Sequence, residues 1–129
     1  MREKVNLLII DDNRLTCWGL EKVISAQEFP VKTVNNGREA LAEISSASYD
    51  AVFLDINLPD VSGFEVLRAI RIISPGARVI MMSSDNTDEN RKMAEELGAA
   101  CFIGKPFSIS VVREVLQDIV NGGKIRTVI

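Results

Sequence analysis

The residues able to do chemistry cluster just after short apolar runs. Asp11 and Asp12 end the first run, Asp55 follows Leu54, Ser83, Ser84 and Asp85 follow Met82, and Lys105-Pro106 comes shortly after Ile103. If the runs are neighbouring strands, three carboxylates share one crevice with a lysine and two hydroxyls. Carboxylates so crowded repel one another, which opposes ionisation and costs stability. A hard divalent cation relieves that repulsion, and Mg²⁺ is typically held by one or two carboxylates, several waters and a phosphate oxygen. Lys105 supplies a positive point charge for a phosphoryl group, and Ser83 a hydroxyl donor. Together they are what a carboxylate nucleophile accepting a phosphoryl group needs.

Other chemistries are excluded by composition. The 129 residues include no histidine, so there is no Ser-His or Cys-His pair, no HExxH zinc site and no histidine phosphodonor. Cys17 and Cys101 form no CxxC or zinc-type spacing, and both sit in apolar stretches where reduced, buried thiols are expected. Fifteen Lys and Arg against eighteen Asp and Glu leave a net charge of −3, without the footprint of a nucleic-acid binder. The basic start and the run Val5 to Ile10 imitate a signal peptide, but Asp11-Asp12 stops the run too early. No run approaches the ~18 apolar residues of a membrane helix. The expectation is a soluble, cytoplasmic protein with no membrane partner.

The elements that must position these groups follow from periodicity. Apolar runs at Val5–Ile10, Val31–Val34, Ala51–Leu54, Val79–Met82 and Ala99–Ile103 read as strands buried on both faces. Between and after them lie helix-period stripes: Cys17, Leu20 and Ile24; Ala40, Leu41 and Ile44; Val66, Ile70 and Ile73; Met93, Ala94 and Leu97; Ile109, Val112, Leu116 and Ile119. Val111 and Val115 are read either as a partly exposed partner patch or as a widening of the last core stripe. Thr87 and Ser108 are expected N-caps, Gly98 a helix-ending glycine, and Pro59, Gly63, Pro75 and Gly76 connections. The result is α/β, five βα units around a parallel sheet with helices on both faces. In such sheets ligands bind beyond the carboxyl ends of the strands, where the reactive residues stand. Residues 1–121 are expected to form the domain, and 122–129 a short C-terminal tail or the start of a linker.

With these residues in place, the chain resembles the receiver domain of two-component response regulators, the CheY-like family. The resemblance rests on Asp11-Asp12, the segment Asn36-Gly37-Arg38-Glu39-Ala40-Leu41, the run Leu54-Asp55-Ile56-Asn57-Leu58-Pro59 with Gly63 after it, Ser83, and Lys105-Pro106-Phe107. It implies a flavodoxin-like (βα)5 fold with strand order 2-1-3-4-5. It implies that Asp55 is the phosphoacceptor, taking a phosphoryl group from a phosphohistidine on a separate kinase. Mg²⁺ would be held by Asp12, Asp55 and the main-chain carbonyl of Asn57, with Asp11 acting mainly through water. Lys105 and Ser83 would contact phosphoryl oxygens, and Phe102 would be an aromatic switch that turns inward as Ser83 moves. Asn57 and Asp85 would influence phosphoryl lifetime, and the readout would lie on the fourth helix, fifth strand and fifth helix. Many members have a cis peptide before the proline matching Pro106. Implied partners are a histidine kinase or phosphotransfer protein and a downstream effector or C-terminal output domain outside these residues, with a homodimer as a further option. Departures from the usual pattern are Ser for Thr at Ser83, Ser84 where Ala is common, Phe for Tyr at Phe102, and Ala100-Cys101 where acidic residues are frequent.

Taken singly, each motif also has an ordinary explanation. Asp11-Asp12 could cap a helix, Asp55 to Asp60 could be a polar turn, Lys105 could be solvated and Phe102 could be core. Their joint occurrence at strand ends favours the switch. An aspartyl-phosphate hydrolase would want a general acid–base near its nucleophile, and the residue two after Asp55 is Asn57. A flavin- or nucleotide-binding module would want a Gly- or Ser/Thr-rich loop after the first strand, where Asp11-Asp12-Asn13-Arg14 stands. A docking module that ignores phosphorylation is the third alternative.

Overall fold

The computed structural model describes residues 5–125. Residues 1–4 and 126–129, which include the basic start and the last half of the expected tail, lie outside the described residues. Strand and helix alternate throughout: β1 (Leu7–Ile10), α1 (Arg14–Ala26), β2 (Val31–Val34), α2 (Gly37–Ser46), β3 (Ala51–Asp55), α3 (Gly63–Ile73), β4 (Arg78–Ser83), α4 (Asp88–Glu96), β5 (Cys101–Gly104) and α5 (Ile109–Asn121). The strands pair in parallel in the order β2-β1-β3-β4-β5, the expected (βα)5 arrangement.

Strand side chains alternate between two apolar layers, as the pleat requires. Leu7, Ile9, Phe53, Ile80, Met82 and Ile103 face Cys17, Leu20 and Ile24 of α1 and Val112, Leu116 and Ile119 of α5. Leu8, Ile10, Val52, Leu54, Val79 and Met81 face α2, α3 and α4 through Ala40, Ile44, Val66, Leu67, Ile70 and Ala94. Burial on both faces explains why these strands read as continuous apolar runs.

Each helix begins on a side-chain cap. Asn13, Asn36, Ser62, Thr87 and Ser108 accept the N–H groups of Thr16, Glu39, Phe64, Asn90 and Val111. Gly98 and Gly122 carry the positive φ of helix exits. Gly63, expected in a connection, instead opens α3.

Three predicted stripes run too far. Ile73 is 47% exposed, Met93 39% and Ile109 56%. Ile73 and Ile109 are terminal helix residues, where the chain has turned away from the sheet. Val115 is fully buried, and Val111 packs partly against the same layer. The wide core face is therefore correct, and these two valines form no exposed patch.

Candidate functional site

Strand register builds the site. Ile10 lies opposite Leu54, so the residues that follow, Asp11 and Asp55, emerge side by side although 44 positions separate them. Asp55 is the last residue of β3, paired with Met82, and Ser83 is the last of β4, paired with Gly104. Lys105 follows β5, its N–H donating to the Ser83 carbonyl at 2.8 Å. The Lys105–Pro106 peptide is cis.

Asp11 is completely buried and fixed through several of its polar atoms. Its Oδ1 accepts the Asn13 N–H at 2.9 Å, and its Oδ2 accepts Lys105 Nζ at 2.7 Å. Its carbonyl accepts Asn35 Nδ2 at 3.0 Å and Cys17 Sγ at 3.2 Å. Burial, followed by the Asp11 charge, pushes the Cys17 thiol up to about 11, so it remains a protonated donor.

Asp55 is only 5% exposed. Its Oδ2 stands 3.3 Å from Lys105 Nζ and its Oδ1 accepts the Asn57 N–H at 3.3 Å. Burial, and then the charge of Asp11, push its carboxyl up to about 6, against the opposing pull of Lys105 and the Asn57 N–H. Lys105 thus bridges two carboxylates and does not stand free as a point charge.

Asp12 is exposed at the rim. Oxygens of Asp11, Asp12 and Asp55 lie within 4.8 Å of one another. These are hard oxygen donors with a single ammonium beside them, a set suited to Mg²⁺. A cleft of about 600 Å³ opens over Asp12, Asp55, Asn57, Ser84 and Lys105. Asn13, Leu15, Thr16, Gly19 and Phe107 also line it. No motif singled out Leu15, Thr16 or Gly19, because a residue's position on the cleft-facing side of α1 depends on how that helix docks; Asn13 caps that helix. Ser83 is fully buried, and its Oγ accepts the Asp85 N–H at 2.9 Å, leaving its own proton to donate. Phe102 lies away from the cleft, packed in the α2–α3–α4 layer, with the Arg91 guanidinium 5.0 Å above its ring.

A five-stranded parallel sheet in the order β2-β1-β3-β4-β5, with an acidic cluster and a lysine at its carboxyl edge, is the arrangement expected of a receiver-like α/β domain. Residues 7–117 match the family model described as the response regulator receiver domain, and the chain belongs to that family. The transcriptional regulatory protein CusR of Escherichia coli is 29% identical over 92% of this chain, which spans about half of that regulator's length. The chemotaxis response regulator CheY4 of Vibrio cholerae superposes with a TM-score of 0.84 at 25% identity, covering 91% of this chain and 99% of that one. A CheY-like receiver from Methanospirillum hungatei shares the fold, with a TM-score of 0.88 at 24% identity, covering 93% of this chain and 96% of that one. No helix among the described residues is long and apolar enough to cross a membrane.

Proposed function

We propose that this receiver domain is a Mg²⁺-dependent phosphoacceptor switch acting in the cytoplasm, with Asp55 as the acceptor. The observation that carries this reading is the setting of Asp55 in the cleft, held by Lys105 on one oxygen and by a main-chain N–H on the other. In the step proposed, an ionised Asp55 oxygen attacks the phosphorus of a partner's phosphohistidine. The P–N bond breaks, its electron pair returns to the imidazole, and an acyl phosphate forms on Asp55. Lys105 moves from pairing with the carboxylate to pairing with a phosphoryl oxygen, and Ser83 Oγ donates to another. Asp11, Asp12, Asp55 and the Asn57 carbonyl would hold Mg²⁺, which when bound neutralises their charge and that of the phosphoryl group. Asn57 and Asp85 would tune the lifetime of the acyl phosphate.

The switch is then read at α4, β5 and α5. Ala94 is the only fully packed residue of α4, which supports a helix free to shift, and Phe102 with Arg91 stacked on it joins that helix to β5. Partners are a histidine kinase or phosphotransfer protein on one side, and an effector, an output domain or a second copy of the chain on the other. Intact-mass measurement after incubation with Mg²⁺ and a small phosphodonor tests the reading. One phosphate adduct is expected, absent in Asp55→Asn and absent without divalent metal. No adduct with any donor would leave a phosphorylation-independent docking module, and steady turnover of phosphate esters would mark a hydrolase.

A further inference from the structure

Asp60 has no part in the chemistry proposed above, yet it makes three hydrogen bonds in the connection between Asp55 and α3. Its Oδ1 accepts the N–H of Gly37 at 2.8 Å and that of Val61 at 3.0 Å, and its Oδ2 accepts the N–H of Arg38 at 2.9 Å. A helix leaves its first N–H groups without partners inside the helix. In α2 the Asn36 side chain satisfies only the Glu39 N–H, at 2.8 Å. The Gly37 and Arg38 donors are satisfied from another part of the chain, by Asp60. Those two N–H groups also hold the Asp60 carboxyl below the usual range, so it stays ionised.

The contact is close as well as polar. A Cβ on Gly37 would stand 2.2 Å from Val61 Cγ2 and 3.2 Å from Asp60 Oδ1. At its base, the 56–62 connection is pinned by Gly63, whose N–H donates to the Ile56 carbonyl at 2.6 Å, and by a bridge between Asn57 and Ser62. Its tip is tied to α2 through Asp60 and Val61. Asn57, which lines the cleft, is part of the base anchorage and stands three positions before Asp60.

We infer that Asp60 is a positioning residue for the metal end of the site: by binding the N-terminus of α2 it fixes the connection that presents the Asn57 carbonyl. This rests on the phosphoacceptor reading for its purpose, while the metal affinity it controls can be measured independently. The test titrates Mg²⁺ into the full chain by calorimetry and by fluorescence of Trp18, which shares a pocket with Asp12. Adduct formation is followed in parallel over a range of Mg²⁺ concentrations. Asp60→Ala is expected to weaken Mg²⁺ binding about tenfold, as loss of an outer-shell support does. Asp60→Asn keeps one acceptor oxygen and should fall between Ala and the parent. The rate of adduct formation should return close to the parent's at saturating Mg²⁺. Gly37→Ala, which forces the same contact apart while sparing the carboxylate, should reproduce the defect, and combining it with Asp60→Ala should add little.

Several outcomes overturn the inference. A lowered melting temperature with an unchanged Mg²⁺ midpoint would make Asp60 a helix cap and nothing more. Equal weakening in Asp60→Asn and Asp60→Ala would reduce it to a charge effect. A parent that binds Mg²⁺ but forms no adduct would instead strike the phosphoacceptor reading, and a parent that binds no Mg²⁺ would strike both.

Discussion

Removing the proposed acceptor carboxylate should make the metal-free protein more stable. Burial and the neighbouring Asp11 raise the Asp55 carboxyl from 3.8 to about 6. At about 1.4 kcal/mol per unit, that difference corresponds to about 3 kcal/mol. Water at the cleft mouth screens part of it, leaving about 1–2 kcal/mol that Asp55→Asn should gain at pH 7.5. The loss of the 3.3 Å contact to Lys105 limits the gain, but that ammonium keeps its 2.7 Å partner in Asp11. Below about pH 4 the parent carboxyl is protonated in the folded and unfolded chains alike, and the two proteins should differ little. As pH rises through about 6 the fold must surrender a proton that the unfolded chain has already released, so the parent loses stability that the variant keeps. Urea denaturation in EDTA from pH 3.5 to 8 reads the divergence. Mg²⁺ should then reverse the ranking, since a ligand at a hundred times its dissociation constant adds about 2.7 kcal/mol to the form that binds it. An Asp55→Asn protein less stable than the parent at pH 7.5 without metal, or a gain undiminished below pH 4, would refute this account of the site.

Lys105→Met strips the cation from a fully buried Asp11 and should cost about 3 kcal/mol without metal. Mg²⁺ should bind that variant at least as tightly as the parent, and calorimetric titration showing weaker binding would count against the ammonium as a competing charge. Gly63→Ala would set a Cβ 2.2 Å from the Asp55 carbonyl oxygen, a backbone atom that cannot swing aside. A loss of about 2–3 kcal/mol is expected there, whereas Gly19→Ala, inside α1 with nothing within 4 Å, should gain about 0.5–1 kcal/mol. Thermal melts that rank the two the other way would refute the packing argument. Tyr49, the chain's single tyrosine, has its hydroxyl pushed up to about 12 by burial and then by its hydrogen bond to Glu43. Absorbance titration should show little tyrosinate at pH 11, and Glu43→Gln should move ionisation toward 10. A parent midpoint near 10 would discard that bond.

Stripe positions show where local pattern stops being informative. The α1 stripe of Cys17, Leu20 and Ile24 is buried throughout, because a mid-helix period maps directly onto one face. Ile73 and Ile109 match the same period yet lie exposed, because a helix end contacts the sheet only if the neighbouring turn allows it. Phe102 shows a related limit: its burial accords with a core residue, but its pairing with Arg91 depends on how α4 lies against β5.

The amino-acid order alone determined the inventory and its ordering along the chain: no histidine, carboxylates and a lysine at the ends of apolar runs, and five βα units with the caps of the last two helices, Thr87 and Ser108. These are local properties, set by side-chain chemistry and by the periods of two and 3.6 residues that strand and helix impose. The strand order came from family resemblance and not from periodicity. Tertiary structure decided what sits beside what. Parallel register brings Asp11 against Asp55, Lys105 joins both across 94 and 50 positions, and Asp60 reaches back 23 positions to the N-terminus of α2. Such contacts arise from the pairing of distant strands and the docking of helices on them, which no local period encodes. Their consequence, a buried carboxyl that resists ionisation until a cation relieves it, exists only in the folded chain.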